Sequence, residues 1–87
     1  MVKIWAKTLI EDKITRSVIW AQEGKFDRGA FEQYVMSVCY ELDIATPIMT
    51  KVNAKNFAQF NITRWKKRDF VDEVDFDTLT FENVSSD

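Results

Sequence analysis

The chain has 87 residues, of which 46% are hydrophobic, 14% aromatic and 30% charged, and its formal net charge is -2. This length supports one hydrophobic core, and the composition is that of a globular chain rather than a disordered one. The net charge has the wrong sign for whole-domain attraction to a nucleic-acid backbone. We therefore expect one domain over residues 1–84, with residues 85–87 forming a frayed C-terminus.

Two alternating segments at the start of the chain predict a β-hairpin. Residues 2–10 alternate in a strand pattern, and residues 14–22 resume it after a short polar break. A two-residue turn at residues 12–13 places Trp5 opposite Trp20, on the face of the sheet away from the helix. Leu9 and Val18 join the two indoles there in an apolar patch, which is a candidate surface for a partner or for self-association.

Other readings of this hairpin stay open. The two indoles can form a cross-strand pair that only stiffens the hairpin, or the C-terminal segment can cover them. The opposite face, with Ile4, Ala6 and Ile19, is expected to lie under the helix. A three-residue turn would instead put Ile4 opposite Trp20 and send the two indoles to different faces.

The middle of the chain predicts one main helix, which begins after the N-cap residue Asp27 and ends near Leu42. Helical spacing predicts a buried stripe along it, formed by Phe31, Val35, Val38 and Leu42. Thr46-Pro47 stops the helix, because the residue before a proline favours an extended backbone. A short strand over residues 48–52 should follow.

Asn53 is expected to cap a brief second helix in which Phe57 and Phe60 both face the core. Residues 62–70 and 78–84 predict two further strands, and Leu79 and Phe81 should point inward from the last of them.

A basic cluster surrounds Trp65, formed by Arg64, Lys66, Lys67 and Arg68. In a strand, Arg64, Lys66 and Arg68 share one face, while the indole of Trp65 and Lys67 point to the other. Such a positive stripe can contact the phosphates of single-stranded nucleic acid. The alternatives are a solvated face, or an edge strand whose charge discourages aggregation.

The predicted elements follow the order strand, strand, helix, strand, short helix, strand, strand. This order predicts an α+β fold with a mixed sheet and one main helix packed on it, arranged like a β-grasp. A ferredoxin-like fold fits less well, because it needs a helix directly after the first strand.

Two stretches carry a resemblance to known proteins: YELDIATP, over residues 40–47, and TRWKKRDFVDEVDFDTLTF, over residues 63–81. They resemble the second half of a group of short bacterial proteins that have no assigned function, and the KIWAK start at residues 3–7 is similar as well. The resemblance implies a stand-alone bacterial protein of the cytoplasm and names no site.

The residue types argue against catalysis. The chain has no histidine, which excludes the commonest acid–base group and the usual triads, and its two glycines cannot build a phosphate loop. One cysteine, Cys39, can neither form an internal disulfide nor hold zinc without histidine, which is typical of a reducing compartment. We expect Cys39 to be a buried structural thiol. An acidic run at residues 72–77 lacks the spacing of a calcium loop and is expected to be a solvated turn.

We therefore predict a protein that is not an enzyme, with no cofactor and no catalytic or metal-binding residue. No run approaches the roughly 18 apolar residues of a membrane span. The favoured function is a protein-interaction module that docks through the face or edge of its sheet. The alternative is a nucleic-acid-binding accessory protein that uses the basic cluster.

Overall fold

The structure is a computed structural model that describes residues 1–85, so two residues of the predicted frayed terminus, Ser86 and Asp87, lie outside it. Its helices and strands are β1 (Val2–Ile10), β2 (Lys13–Gln22), α1 (Phe31–Leu42), α2 (Lys51–Phe60), β3 (Ile62–Lys66) and β4 (Thr78–Asn83). The strands form one sheet in the order β2-β1-β4-β3, and each neighbouring pair is antiparallel. No helix in the described part of the chain is long and apolar enough to cross a membrane.

This architecture confirms the α+β class and corrects its details. The sheet is antiparallel throughout, so the expectation of a mixed sheet is wrong. The predicted strand at residues 48–52 is also wrong, because α2 begins at Lys51 and a second helix therefore follows α1 directly along the chain. The β-grasp arrangement with one main helix is not confirmed.

The start of α2 is set by a capping box. The Thr50 hydroxyl accepts a hydrogen bond from the Asn53 backbone N–H at 3.4 Å, and the Asn53 side chain accepts one from the Thr50 N–H at 3.1 Å. These bonds satisfy two donors that a helix start leaves without a partner. Asn53 is therefore the third residue of the helix and not its cap, and this local bonding overrides the strand preference of Val52.

The predicted helix cap at Asp27 opens a 3-10 turn over Arg28–Ala30 that leads directly into α1. The Asp27 carboxylate accepts a hydrogen bond from the Gly29 N–H at 2.9 Å. The helix ends where Asp43 adopts a left-handed backbone, with φ of 56°. Its buried face confirms the predicted stripe and adds two neighbours: Phe31, Tyr34, Val35, Val38, Cys39 and Leu42.

The hairpin turn consists of Glu11 and Asp12, because Ile10 lies opposite Lys13, so the predicted turn at residues 12–13 is wrong by one residue. The two turn residues have φ of 49° and 65°, which is the pattern of a type I′ turn. Leu9 then lies opposite Ile14, but Thr8 lies opposite Arg16, so Thr15 is an extra residue in β2. This β-bulge is held by its own side chain, because the Thr15 hydroxyl donates to the Thr8 carbonyl at 3.2 Å.

The position of the turn and the bulge together overturn the predicted pairing of the indoles, and the bulge exchanges the faces of β2 beyond Thr15. Ile4 lies opposite Trp20, and Trp5 lies opposite Ile19, so the two tryptophans occupy different faces of the sheet. Trp20 packs on the helix-covered side, where its ring centroid is 5.6 Å from that of Tyr34. Ile19, which was expected under the helix, is 65% exposed on the opposite face.

The core fills the space between the two helices and one face of the sheet. The stripe of α1 packs with Ile4, Ala6, Leu79 and Phe81 as predicted. Trp65 points away from Arg64 and Lys66 as predicted and is buried, with its ring edge-on to Phe81 at 5.0 Å between centroids. Phe57 is fully buried, whereas Phe60 is 60% exposed, so the expectation that both rings face the core is wrong for Phe60.

The loop between β3 and β4 is anchored to the rest of the chain. Phe70 and Phe76 meet edge to face at 5.3 Å between centroids and belong to the core. Asp75 forms an ion pair with Arg16 at 3.2 Å, and Asp77 accepts a hydrogen bond from the Glu11 N–H at 2.9 Å. The acidic side chains of this loop are exposed, as predicted for a solvated turn.

Candidate functional site

The side of the sheet turned away from both helices forms a broad exposed surface, which we call the outer face. The register assigns to it the odd-numbered residues of β1, the residues of β2 opposite them, and the even-numbered residues of β4 and β3. These are Lys3, Trp5, Lys7, Leu9, Ile14, Ser17, Ile19, Ala21, Ile62, Arg64, Lys66, Thr78, Thr80 and Glu82.

Apolar side chains form two cross-strand pairs on the β2–β1 side of the outer face, Ile19 with Trp5 and Ile14 with Leu9. Ile62 lies on β3, beyond Glu82 of β4. Ile19 is 65% exposed and Ile14 is 52% exposed, while Trp5, Leu9 and Ile62 are each partly exposed. Scattered exposed apolar residues are ordinary, but a contiguous group across neighbouring strands is typical of an interaction surface.

Cations flank this apolar group. Lys3 and Lys7 come from β1, and Arg64 and Lys66 come from β3. Among the outer-face residues the only carboxylate is that of Glu82. The whole chain carries a net charge of -2, so most of its acidic residues must lie elsewhere, and the outer face is locally positive.

A shallow groove of about 430 Å³ runs across β1, β4 and β3 on this face. Its lining includes Lys7, Leu9, Arg64 and Lys66, with Asp12 of the hairpin turn at one end. The Lys7 ammonium lies 3.8 Å from the centroid of the Trp5 ring, which is a cation–π contact. The groove therefore offers three cations beside aliphatic side chains and the carboxylate of Glu82, and the Trp5 ring lies next to one of these cations, Lys7.

The structure divides the predicted partner surface between two faces. Trp5 and Leu9 lie on the outer face, as expected, but Val18 and Trp20 lie on the helix-covered side and are half-buried. The bulge at Thr15 causes this difference, since one extra residue turns every later side chain of β2 to the other face.

The predicted basic cluster is divided as well. Arg64 and Lys66 are exposed on the outer face, opposite in direction to Trp65, as alternation predicts. The strand then ends, because the Lys66 N–H donates to Asp69 at 2.8 Å and opens a 3-10 turn over Lys67–Asp69. Lys67 and Arg68 are exposed on this turn and do not continue the strand.

Sequence reasoning did not nominate five residues of this face as site residues: Lys3, Lys7, Ile14, Ile19 and Ile62. The two lysines alternate with Trp5 in the first strand, so the pattern places all three on one face. Their approach to Arg64 and Lys66 depends on β4 lying between β1 and β3, which no local pattern predicts.

The remaining candidates for chemistry are the thiol of Cys39 and the acidic side chains. Cys39 is fully buried in α1, and burial raises the pKa of its thiol to about 12, so it stays protonated near neutral pH. Residues 1–85 contain no cluster of three or more acidic or cysteine side chains arranged to hold a metal ion.

Comparison of the chain with protein-family models, curated proteins and solved structures finds no significant match. The resemblance to short bacterial proteins therefore stays a prediction, and the outer face is the feature on which a functional proposal must rest.

Proposed function

We propose that this chain is a non-enzymatic docking module whose outer face binds a protein segment bearing acidic and apolar side chains. The observation that carries the proposal is the combination of exposed isoleucines with four cations on a sheet face that neither helix covers.

The apolar part of the face favours a protein partner. Ile14, Ile19, Leu9 and Ile62 are aliphatic, and aliphatic side chains pack against other side chains but offer no ring on which a base can stack. Burial of exposed apolar area contributes about 25 cal/mol per Å², so covering these residues supplies affinity. Trp5 at the centre is the residue type that most often dominates such interfaces.

The charged part of the face specifies an acidic partner. Lys3 and Lys7 lie beside and between the apolar pairs of β1 and β2, and Arg64 and Lys66 lie on β3. Complementary charges raise the association rate and reject basic competitors. We expect the association rate to fall as salt is added, because exposed charges are screened over about 10 Å at 0.1 M ionic strength.

Charge reversal tests this proposal. The variant Arg64→Glu with Lys66→Glu inverts one side of the outer face, and Lys25→Glu with Arg28→Glu makes the same change at exposed cations outside the sheet. Tagged wild-type protein and both variants are used to capture proteins from cell extract. We expect a captured protein that the outer-face variant loses and the control variant retains. Identical captured proteins for all three would refute the proposal.

A second candidate is binding of single-stranded nucleic acid, favoured by the presence of Trp5 on the same face as Arg64 and Lys66. Cations beside an aromatic ring can contact phosphates and stack a base. Titration of a labelled oligonucleotide over a salt series tests it. Phosphate contacts predict an affinity that falls steeply with salt and is lost in the outer-face variant. Absence of binding at low salt would exclude this function.

We also propose the cytoplasm as the location of the protein. The support is its cysteine usage, because one buried thiol without a disulfide partner suits a reducing compartment. Fractionation of the native cell followed by immunodetection tests this location.

A further inference from the structure

Strand β2 forms one edge of the sheet and pairs only with β1 among the described strands. It is ten residues long, and its second half, residues 17–22, contains no charge, proline or bulge. Natural proteins usually protect a sheet edge with charge, proline or a bulge, because a row of unpaired backbone groups is a template for another strand. An edge of this length and composition favours pairing.

The backbone groups that the edge presents follow from the pairing of β1. The carbonyls of Lys3 and Leu9 accept hydrogen bonds from Val84 and Asp77, so the odd-numbered residues of β1 bond toward β4. The even-numbered residues of β1 therefore bond toward β2. Their partners beyond the bulge are the even-numbered residues Arg16, Val18 and Trp20. By alternation, Ser17, Ile19 and Ala21 direct their N–H and C=O groups away from the sheet.

Helix α1 supplies a second part of this surface. A groove of about 570 Å³ lies between α1 and β2, with Trp20, Met36 and Tyr40 in its lining. Met36 is 53% exposed and Tyr40 is 85% exposed. They lie one helical turn apart, so both project from the same side of the helix. The free strand edge and this side of α1, which also carries Ser37 and Glu41, thus form one continuous strip.

We propose that two copies of the chain pair through their β2 edges, antiparallel about Ile19, with the Met36 and Tyr40 sides of the two α1 helices in contact. In this register Ser17 of one copy lies opposite Ala21 of the other, and Val18 lies opposite Trp20. The result is a continuous eight-stranded sheet.

The choice of a second copy rests on self-complementarity. A two-fold contact brings the same surface together from both sides, so each residue must suit its own symmetry mate. Along the paired strands the centre about Ile19 is apolar, and Arg16 lies opposite Gln22, so no like charges oppose each other there. The one charged residue in the groove lining is Glu41 of α1. The inference does not depend on the proposed function, because Trp5, Arg64 and Lys66 remain exposed in the dimer.

Two charge variants test the register. In the proposed register, residue 17 of each copy faces residue 21 of the other. Ser17→Glu with Ala21→Glu therefore creates two carboxylate–carboxylate pairs in the dimer, whereas Ser17→Glu with Ala21→Lys creates two glutamate–lysine pairs. Within one chain Ser17 is opposite Lys7 and Ala21 is opposite Lys3, so the double-glutamate variant gains favourable contacts and keeps its fold. Thermal unfolding of each variant confirms that it is folded.

Sedimentation velocity over a concentration series measures the result. We expect a wild-type dimer, a dissociation constant at least about tenfold higher for the double-glutamate variant, and recovery in the glutamate–lysine variant. Tyr40→Glu should weaken the dimer independently, through the helix side. A monomeric wild type, a dimer indifferent to the double-glutamate change, or dissociation of both strand variants would overturn the proposal. Arg64→Glu with Lys66→Glu should leave the dimer intact, which separates this result from the test of partner docking.

Discussion

Cys39 shows how the environment of one side chain couples to the stability of the fold. Its pKa rises from 9.0 to about 12 because burial disfavours the thiolate. The unfolded chain therefore releases this proton first as the pH increases. The stabilising contribution is complete below pH 9 and is lost between pH 9 and 12, by at most about 1.4 kcal/mol per pH unit.

The measurement is denaturant unfolding at several pH values between 9 and 12. We expect the free energy of unfolding of the wild type to fall more steeply with pH than that of Cys39→Ala, in which no thiol titrates. The two proteins differ only at residue 39, so the contributions of all other groups cancel in the comparison. Parallel pH dependences would contradict the burial of the thiol.

Phe57 and Phe60 provide a matched pair of residues on one helix. Phe57 is fully buried and contacts Phe31 at 5.3 Å between ring centroids, whereas Phe60 is 60% exposed. We expect Phe57→Ala to cost about 3–5 kcal/mol of unfolding free energy, because it leaves a cavity. Phe60→Ala should change it by no more than about 0.5 kcal/mol. Denaturant unfolding distinguishes them, and equal costs would contradict the assigned orientation of α2.

The sequence could not separate these two rings, for a geometrical reason. Residues three apart on a helix lie only about 60° from each other, so both fall within one apolar stripe. Phe60 is the last residue of α2, and Asn61 then turns the chain with φ of 62°. The ring therefore lies at the boundary of the buried stripe, and only the packing of the neighbouring strand decides which side it takes.

At the scale of elements, the two residues of the hairpin turn are of types that do not favour the backbone conformation they adopt. Glu11 and Asp12 both adopt positive φ, a conformation that asparagine and glycine accept more readily. We expect Glu11→Asn with Asp12→Gly to raise the unfolding free energy by about 1 kcal/mol. For a domain of this size that corresponds to an increase in Tm of about 4–8 °C.

Thermal unfolding followed by circular dichroism measures this change. Gly24→Ala serves as the opposite control, because Gly24 has φ of 101° and an alanine there is strained, although the position is open to solvent. We expect that variant to lower the Tm. An unchanged or lower Tm for the asparagine–glycine variant would contradict the type I′ turn.

The alternation of β1, β2 and β4 and the stripe of α1 predict these elements correctly, because both depend on neighbours in the sequence. The register of β2 cannot be predicted from sequence neighbours, since the bulge at Thr15 is stabilised by hydrogen bonds to Thr8 on the other strand of the hairpin. One inserted residue is enough to exchange the positions of Ile19 and Trp20 between the faces. The sequence accordingly predicts the cations Arg64 and Lys66 of the candidate site, but it does not predict the apolar residue Ile19.

At the scale of the whole molecule, the sheet should open from its edges. Strands β1 and β4 have a strand on both sides, whereas β2 and β3 each have one. We expect hydrogen exchange to be slowest for the amides of β1 and β4. In the dissociated double-glutamate variant, the amides of Ile19 and Ala21 should exchange faster than those of Val18 and Trp20. Uniform protection along β2 would contradict the assigned hydrogen-bond directions.

The pairing of β1 with β4 joins residues that are far apart in the sequence, since Ala6 lies opposite Phe81. The β1–β2 hairpin and the two helices close only short loops, but the centre of the sheet cannot form until nearly the whole chain has been brought back on itself. High contact order of this kind slows folding. We therefore expect β1 and β4, which open last in the native protein, to pair late on the folding pathway. The β1–β2 hairpin should already have formed by then.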